Sequence, residues 1–286
     1  SPQMPVSILL YDWQNEEVVR SLGETYAWNW QQGARALWLD SETVVYNIYD
    51  KTEDSYRARL VSREGSFQRD LPIPVQEVDS RGRVYSLSYE ALAYVRPDYG
   101  YRNRSVNLRD LFDNAIEQYD ISTGIHRTLV SLAELQQLTQ AYYGKTITYA
   151  KFNHVMVSPD STQLVFLFRY FLDGRRITDL YVVSTDGGEP VLLLAGRGTS
   201  HVCWFGNEAV IATMLGYEGF GYYRVPLKPS ENASLLWSQA DGHPSRLDPF
   251  NILTDTYPDK FALRKLAIKS LNNEELRILA EYPEPL

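Results

Sequence analysis

The sequence predicts an all-β fold, a β-propeller of about six four-stranded blades. Three observations point there. Aromatic residues make up 13% of the 286 residues, and 21 of them are tyrosine, a residue that favours pleated, half-buried surfaces. A strand–turn–strand pattern recurs with a period of about 40 residues, the length of a four-stranded blade. Three histidines, His154, His201 and His243, stand 47 and 42 residues apart, each at the start of a repeat.

The clearest repeat begins at Asn153, with apolar runs divided by Pro159-Asp160-Ser161, Asp173-Gly174 and Asp186-Gly187-Gly188. These are turn-forming residues between strand-like segments. The next two repeats open with Ser200-His201-Val202 and Gly242-His243-Pro244. Earlier repeats are looser. ARALWLDSETVVYNIYD begins one, and VYSLSYEALAYVR followed by IEQYDISTGIHRTLVSL forms another. An insertion at about 98–146 carries a short helical pattern, LAELQQLTQAYY, with Ser131 as its expected N-cap. Near the N-terminus, VSILLYD and EEVVRSL read as only two strands. The whole chain, 1–286, is expected to form a single propeller domain, with a last blade that is incomplete or shared between the termini. The native chain is expected to extend beyond Leu286.

Composition narrows the function classes. The net charge is −8 and the pI about 5.1, with no basic run. Nucleic-acid binding, which needs a positive footprint, is disfavoured. The single cysteine, Cys203, excludes an intrachain disulfide and any zinc site built on two or more cysteines. No apolar run approaches the ~20 residues that span a bilayer. The opening Ser1-Pro2-Gln3-Met4 does not read as a signal peptide. A soluble protein is expected, its compartment unassigned. Phosphate-loop, serine-elbow and HExxH patterns are absent from the sequence.

The first strand of a propeller blade lines the central channel, and equivalent positions on successive blades lie side by side. His154, His201 and His243 are therefore expected to converge at one rim, whereas His126 reads as a surface residue. Neutral imidazoles can hold a divalent transition metal such as Mn²⁺ or Zn²⁺. Gln31 and Gln32, entering the first strand of an earlier repeat, could add an oxygen ligand, and Gln32 is the candidate. The plainer alternatives are histidines that tie down backbone and glutamines in a solvated loop. Nearby polar groups include Arg169, Arg175 and Arg176, then Asp255, Tyr257 and Asp259, and the insertion residues Asp98, Tyr99, Tyr101 and Arg102. Arginine offers a fork for carboxylates, and tyrosine rings offer platforms for sugars. Trp204, in the run opened by His201, joins Tyr99, Tyr101, Arg102 and Arg175 as a candidate substrate contact.

The ordered run from His154-Val-Met-Val-Ser-Pro-Asp, through Arg169 and Arg175-Arg-Ile-Thr-Asp-Leu-Tyr181, to Ser200-His-Val-Cys-Trp204 and Asp241-Gly-His-Pro-Ser245 resembles the core of the propeller polysaccharide lyases. That group includes oligogalacturonate lyase and the lyases that cut ulvan. The resemblance covers mainly 151–259. It implies β-elimination at a uronic acid in an acidic oligo- or polysaccharide. A cation or arginine neutralises the carboxylate, a base removes the adjacent proton, and an acid protonates the leaving oxygen. On this reading His154, His201 and His243 act as metal ligands or base. Arg169 or Arg176 meets the carboxylate, and Tyr257 or Tyr101 is the acid. Two alternatives remain open: a non-catalytic glycan-binding or scaffold propeller of surface-polysaccharide metabolism, and a protein-interaction propeller.

Overall fold

A computed structural model describes residues 4–104, 114–238, 241–258, 262–273 and 275–283. Two compact units divide the chain, Ser1–Phe152 and Asn153–Leu286. Among the described residues, strands form five four-stranded antiparallel sheets and one two-stranded sheet. No helix among them is long and apolar enough to cross a membrane.

The first unit opens with the two-stranded pair β1 (Val6–Asp12) and β2 (Glu17–Thr25). A four-stranded sheet follows: β3 (Leu37–Trp38), β4 (Thr43–Asp50), β5 (Ser55–Ser62) and β6 (Phe67–Leu71). The next is β7 (Glu77–Val78), β8 (Arg83–Ser86), β9 (Ala115–Asp120) and β10 (His126–Ser131). Each sheet covers its neighbour. Ile8 and Leu22 of the first pair pack with Val44, Tyr46, Ile48 and Val61. Val45, Ala58, Leu60 and Leu71 pack with Val84 of the sheet after. Alternation along β5, with Tyr56, Ala58 and Leu60 buried between half-exposed neighbours, lets this strand present one face.

The second unit is more regular. Strands β11 (Thr148–Val157, which crosses the unit boundary), β12 (Gln163–Leu172), β13 (Arg175–Ser184) and β14 (Val191–Leu194) form one sheet. β15 (Val202–Trp204), β16 (Ala209–Gly216), β17 (Gly219–Pro226) and β18 (Ser234–Ser238) form the next. β19 (Ser245–Arg246), β20 (Asn251–Asp255), β21 (Leu263–Ser270) and β22 (Leu276–Pro283) form the last. With five four-stranded sheets and the two-stranded N-terminal pair, the sheets match the expected count of five full blades and one partial blade. β12 is buried from Leu164 to Tyr170, as the apolar run Leu164–Phe168 requires of a strand covered on both faces. Val165, Leu167, Leu180 and Val182 meet Val202, Trp204, Val210 and Met214 in one core. Each such aliphatic side chain contributes about 1.5–3 kcal/mol on burial.

The turns read from sequence are in place. Asp173 and Gly174 both have positive φ, at 49° and 73°, the conformation a two-residue hairpin demands. At Pro159-Asp160-Ser161, the Ser158 hydroxyl donates to the Asp160 carboxylate at 2.6 Å and accepts from the Gln163 amide. Ser131 caps the expected helix, α2 (Leu132–Tyr143), by accepting from the Glu134 amide.

Two local expectations need correction. VYSLSYEALAYVR, read as part of a strand repeat, is only partly strand. After β8, Ser88 accepts from the Ala91 amide and starts a helix, α1 (Tyr89–Val95). Helix-forming Glu, Ala and Leu beyond a good N-cap outweigh the run's aromatic β tendency. Gln31 and Gln32 do not enter a strand either. They lie in the tight Asn29–Gly33 loop, where their backbone amides donate to the Asn29 side chain.

Among the described residues of the first unit, Asp79 and Arg83 form an enclosed ion pair. Arg83 Nε donates to Asp79 at 2.6 Å, Tyr85 donates to the same carboxylate at 2.8 Å, and both charged residues are buried. Replacing Asp79 with alanine removes the buried carboxylate that Arg83 Nε and the Tyr85 hydroxyl share. Denaturant unfolding of Asp79→Ala is expected to show a loss of about 3–5 kcal/mol, and a loss below ~1 kcal/mol would contradict an enclosed pair.

Candidate functional site

The register of the last sheet creates the site's central contact. Ser245 pairs with Leu253 and Arg246 with Ile252. Extended outward by two residues, the same register sets His243 opposite Asp255. The Asp255 carboxylate accepts from the His243 backbone amide at 2.7 Å. Its oxygens also lie 2.9 and 3.0 Å from His243 Nδ1. Gly242 makes this approach possible, because a Cβ there would come within 2.2 Å of the Asp255 carbonyl oxygen.

His201 precedes β15 and is held from the following repeat. Its Nδ1 lies 3.1 Å from Asp241, which also accepts from the Ser200 hydroxyl at 2.6 Å. The blade-start segments Ser200-His201 and Asp241-Gly242-His243 thus interlock. The His201 and His243 rings are 4.0 Å apart between centroids. Tyr257 lies over both, at 6.4 and 6.0 Å. The Arg264 guanidinium sits 5.6 Å from the Tyr257 ring. His154 meets His201 edge to face at 5.5 Å, on a backbone with φ of 50°. That left-handed conformation is rare for a non-glycine residue.

The cluster has an inner and an outer side. The His201 side chain is 11% exposed and that of His243 53%, while Tyr257 is 44% exposed. The hydrogen bond to Asp255 pushes the His243 pKa above its ordinary value, against the opposing effect of partial burial. For Asp255, burial alone would raise the pKa, but bonds from the His243 ring and amide hold it below the ordinary carboxylate value. Asp241 follows the same pattern, with burial overcome by hydrogen bonds from His201 and Ser200.

The three in-register histidines therefore come together, with Tyr257. Among the described residues no group of three or more His, Cys, Asp or Glu side chains is arranged to hold a metal ion. Gln32 belongs to the first unit, half-buried in its loop.

The remaining candidates are scattered. Arg169 is buried and donates to the Ser200 carbonyl at 2.9 Å, supporting the loop that carries His201. Arg175 and Arg176 are exposed at the start of β13. Trp204 is a core residue whose indole donates to the Met156 carbonyl. Tyr101 is fully buried, stacked on Tyr89 at 4.1 Å and hydrogen-bonded to Asn47. Tyr99 is half-buried beneath Arg96, and Arg102 is exposed. Asp259 lies outside the described residues. His126 is exposed, as expected, 3.4 Å from Glu117. Sequence reasoning missed Arg264 and the pairings of His201 with Asp241 and of His243 with Asp255. The hairpin register could have supplied the Asp255 pairing.

Comparison with solved structures fixes the architecture. The chain is similar to TolB from Acinetobacter baumannii, with 16% identity over 99% of this chain and 66% of that one, and a TM-score of 0.50. It is also similar to the β-propeller domain of the Trilobed protease from Pyrococcus furiosus (11% identity, 84% of this chain, 68% of that one, TM-score 0.51). The fold is a β-propeller. An oligogalacturonate lyase in complex with manganese is likewise similar, at 12% identity over 98% of this chain and 73% of that one, TM-score 0.57. The structural resemblance to the propeller lyases extends beyond 151–259 to nearly the whole chain. No protein-family profile matches the sequence, and no curated protein matches it.

The His243–Asp255 pair makes a pH-dependent contribution to stability. Because His243 titrates above its ordinary range, the contact is present at lower pH and fades as pH rises through the raised value. Because Asp255 titrates below its ordinary range, the contact fades again as pH falls through that lowered value. The loss of Tm in Asp255→Asn is therefore expected to be largest between about pH 5 and 6 and smaller on either side. A loss independent of pH would show that the charge pair contributes nothing.

Proposed function

We propose that the protein is a polysaccharide lyase-like enzyme that cleaves an acidic, uronic-acid-containing glycan by β-elimination. The observation that carries this reading is the carboxylate-held His243, which reaches solvent beside the ring of Tyr257. Similarity to a solved oligogalacturonate lyase supports it at the level of fold.

The reaction asks for a base and an acid near one C4–C5 bond. The His243 imidazole, in its neutral form, takes the proton from C5 next to the carboxylate. Those electrons form the C4=C5 bond as the C4–O4 bond breaks. The Tyr257 hydroxyl gives its proton to O4. Arg264, above the Tyr257 ring, offers positive charge to the uronate as negative charge develops on it. His201, less exposed and held by Asp241, fixes the position of the His243 ring. No step is routed through a metal. An ion such as the manganese of the similar lyase would require His243 to surrender its proton before ligating.

The test is cleavage of oligogalacturonate, followed by the ultraviolet absorbance of the unsaturated product. His243→Gln is expected to lower kcat/KM by about 10²–10⁴-fold. In wild type, kcat/KM should rise with pH through the raised His243 value, because the base must be neutral. Asp255→Asn removes the cause of that rise in pKa, so its acid limb should move to lower pH. Absence of unsaturated product from acidic glycans would sink the catalytic reading and leave a glycan-binding propeller.

A further inference from the structure

The first unit carries a cleft of about 230 Å³ lined by Trp28, Trp30, Pro97, Asp98, Gly100 and Arg102. It is absent from the chemistry above. Trp30 is its most unusual member, 81% exposed on a rigid support. The support is the Asn29–Gly33 loop, closed by reciprocal backbone bonds of 3.1 and 3.0 Å. Asn29, at the base of the loop, is buried. Its side-chain oxygen accepts from the amides of Gln31 and Gln32, and its amide donates to the Tyr99 carbonyl at 2.8 Å. That last bond ties the tryptophan loop to the segment bearing the polar residues.

The opposite wall is equally fixed. The Tyr101 amide donates to the Tyr89 carbonyl in α1. Gly100 packs so tightly on α1 that a Cβ would lie 2.0 Å from the Ala93 nitrogen. Trp28 is anchored by a 2.8 Å bond from its indole to the Met4 carbonyl and meets Trp30 edge to face at 5.2 Å. Two rings are thus preset at a wide angle, 79°, beside an exposed guanidinium and an exposed carboxylate. Arg102 has no ion-pair partner among the described residues.

We infer that this cleft is a binding subsite for one acidic pyranose residue of a glycan. The apolar face of the sugar stacks on Trp30, its carboxylate meets Arg102, and a hydroxyl donates to Asp98. A preset aromatic platform with a guanidinium at its rim suits a flat, carboxylated ring. The volume suits a single residue rather than a long chain. The acidic character of the ligand rests on the reading in the preceding subsection, whereas the cleft's geometry does not.

The experiment titrates tryptophan fluorescence with trigalacturonate and, separately, with its methyl ester. It uses the full chain carrying His243→Gln, so that cleavage cannot deplete the ligand. Adding Trp30→Ala is expected to weaken trigalacturonate binding about tenfold or more, and Trp30→Phe to restore part of it. Arg102→Gln should weaken trigalacturonate about fivefold or more and leave the methyl ester unchanged. Calorimetry provides the dissociation constants for variants that lack Trp30. An unchanged Tm confirms that the Trp30 and Arg102 variants remain folded, as their exposure predicts. Undiminished affinity in Trp30→Ala, or no wild-type binding at millimolar ligand, overturns the subsite. Equal loss for acid and ester in Arg102→Gln overturns its acidic specificity. Binding that depends on Trp30, in a protein that yields no unsaturated product, upholds the subsite while the lyase reading fails.

Discussion

Face-to-face burial between successive sheets is the constraint on which everything else rests. No sheet here can satisfy its own apolar surface. Val165, Leu167 and Leu180 need Trp204, Val210 and Met214 from the sheet that follows, just as Leu60 and Leu71 need Val84. Water therefore drives the sheets together at a separation fixed by side-chain size. Residues at equivalent positions are carried along, and His201 and His243 meet because their strands begin at equivalent points of adjoining sheets. Their 4.0 Å ring separation is a by-product of core packing, made useful by what surrounds it.

The surroundings differ from sheet to sheet, and there the repeat acquires chemistry. His201 faces Thr213 across its hairpin, whose amide merely donates to the His201 carbonyl. In the next sheet the corresponding position is Asp255, which grips both the amide and the ring of His243. Asp255 in that position gives His243 a carboxylate partner from its own hairpin, which Thr213 does not give His201. Asp241 adds a second difference, reaching from its own repeat to His201 of the repeat before.

Much of this frame was legible in the sequence because turns and periodicity are local. Asp173-Gly174, the Ser158–Asp160 turn and the Ser131 cap announce themselves within a few residues. The 47- and 42-residue intervals carried the histidine register, since a repeat period is also a spatial translation. What stayed hidden depends on burial and on long-range pairing. Tyr101 and Trp204 have the composition of sugar platforms, yet one stacks inside the first unit and the other fills a core. Arg169 has the charge to meet a carboxylate, but a backbone carbonyl holds it. Trp30 lay in a segment where the glutamines drew attention. Its exposure follows from the Asn29 loop, whose bond to the Tyr99 carbonyl joins residues 70 apart.

The bridge from Asp241 back to His201 also places the histidine cluster on a seam. Strand β19, which follows His243, is only two residues long. Its hold on the neighbouring sheet runs through Ser200, His201 and Asp241, together with the small apolar group of Cys203, Ile211, Tyr222 and Ile252. Local opening of a short edge costs far less than global unfolding. The geometry of the cluster is accordingly only as durable as that seam. Amide hydrogens around His243 would exchange while those of β12 stay protected, and heat or mild denaturant would dissolve the alignment of the two imidazoles before the propeller itself gave way.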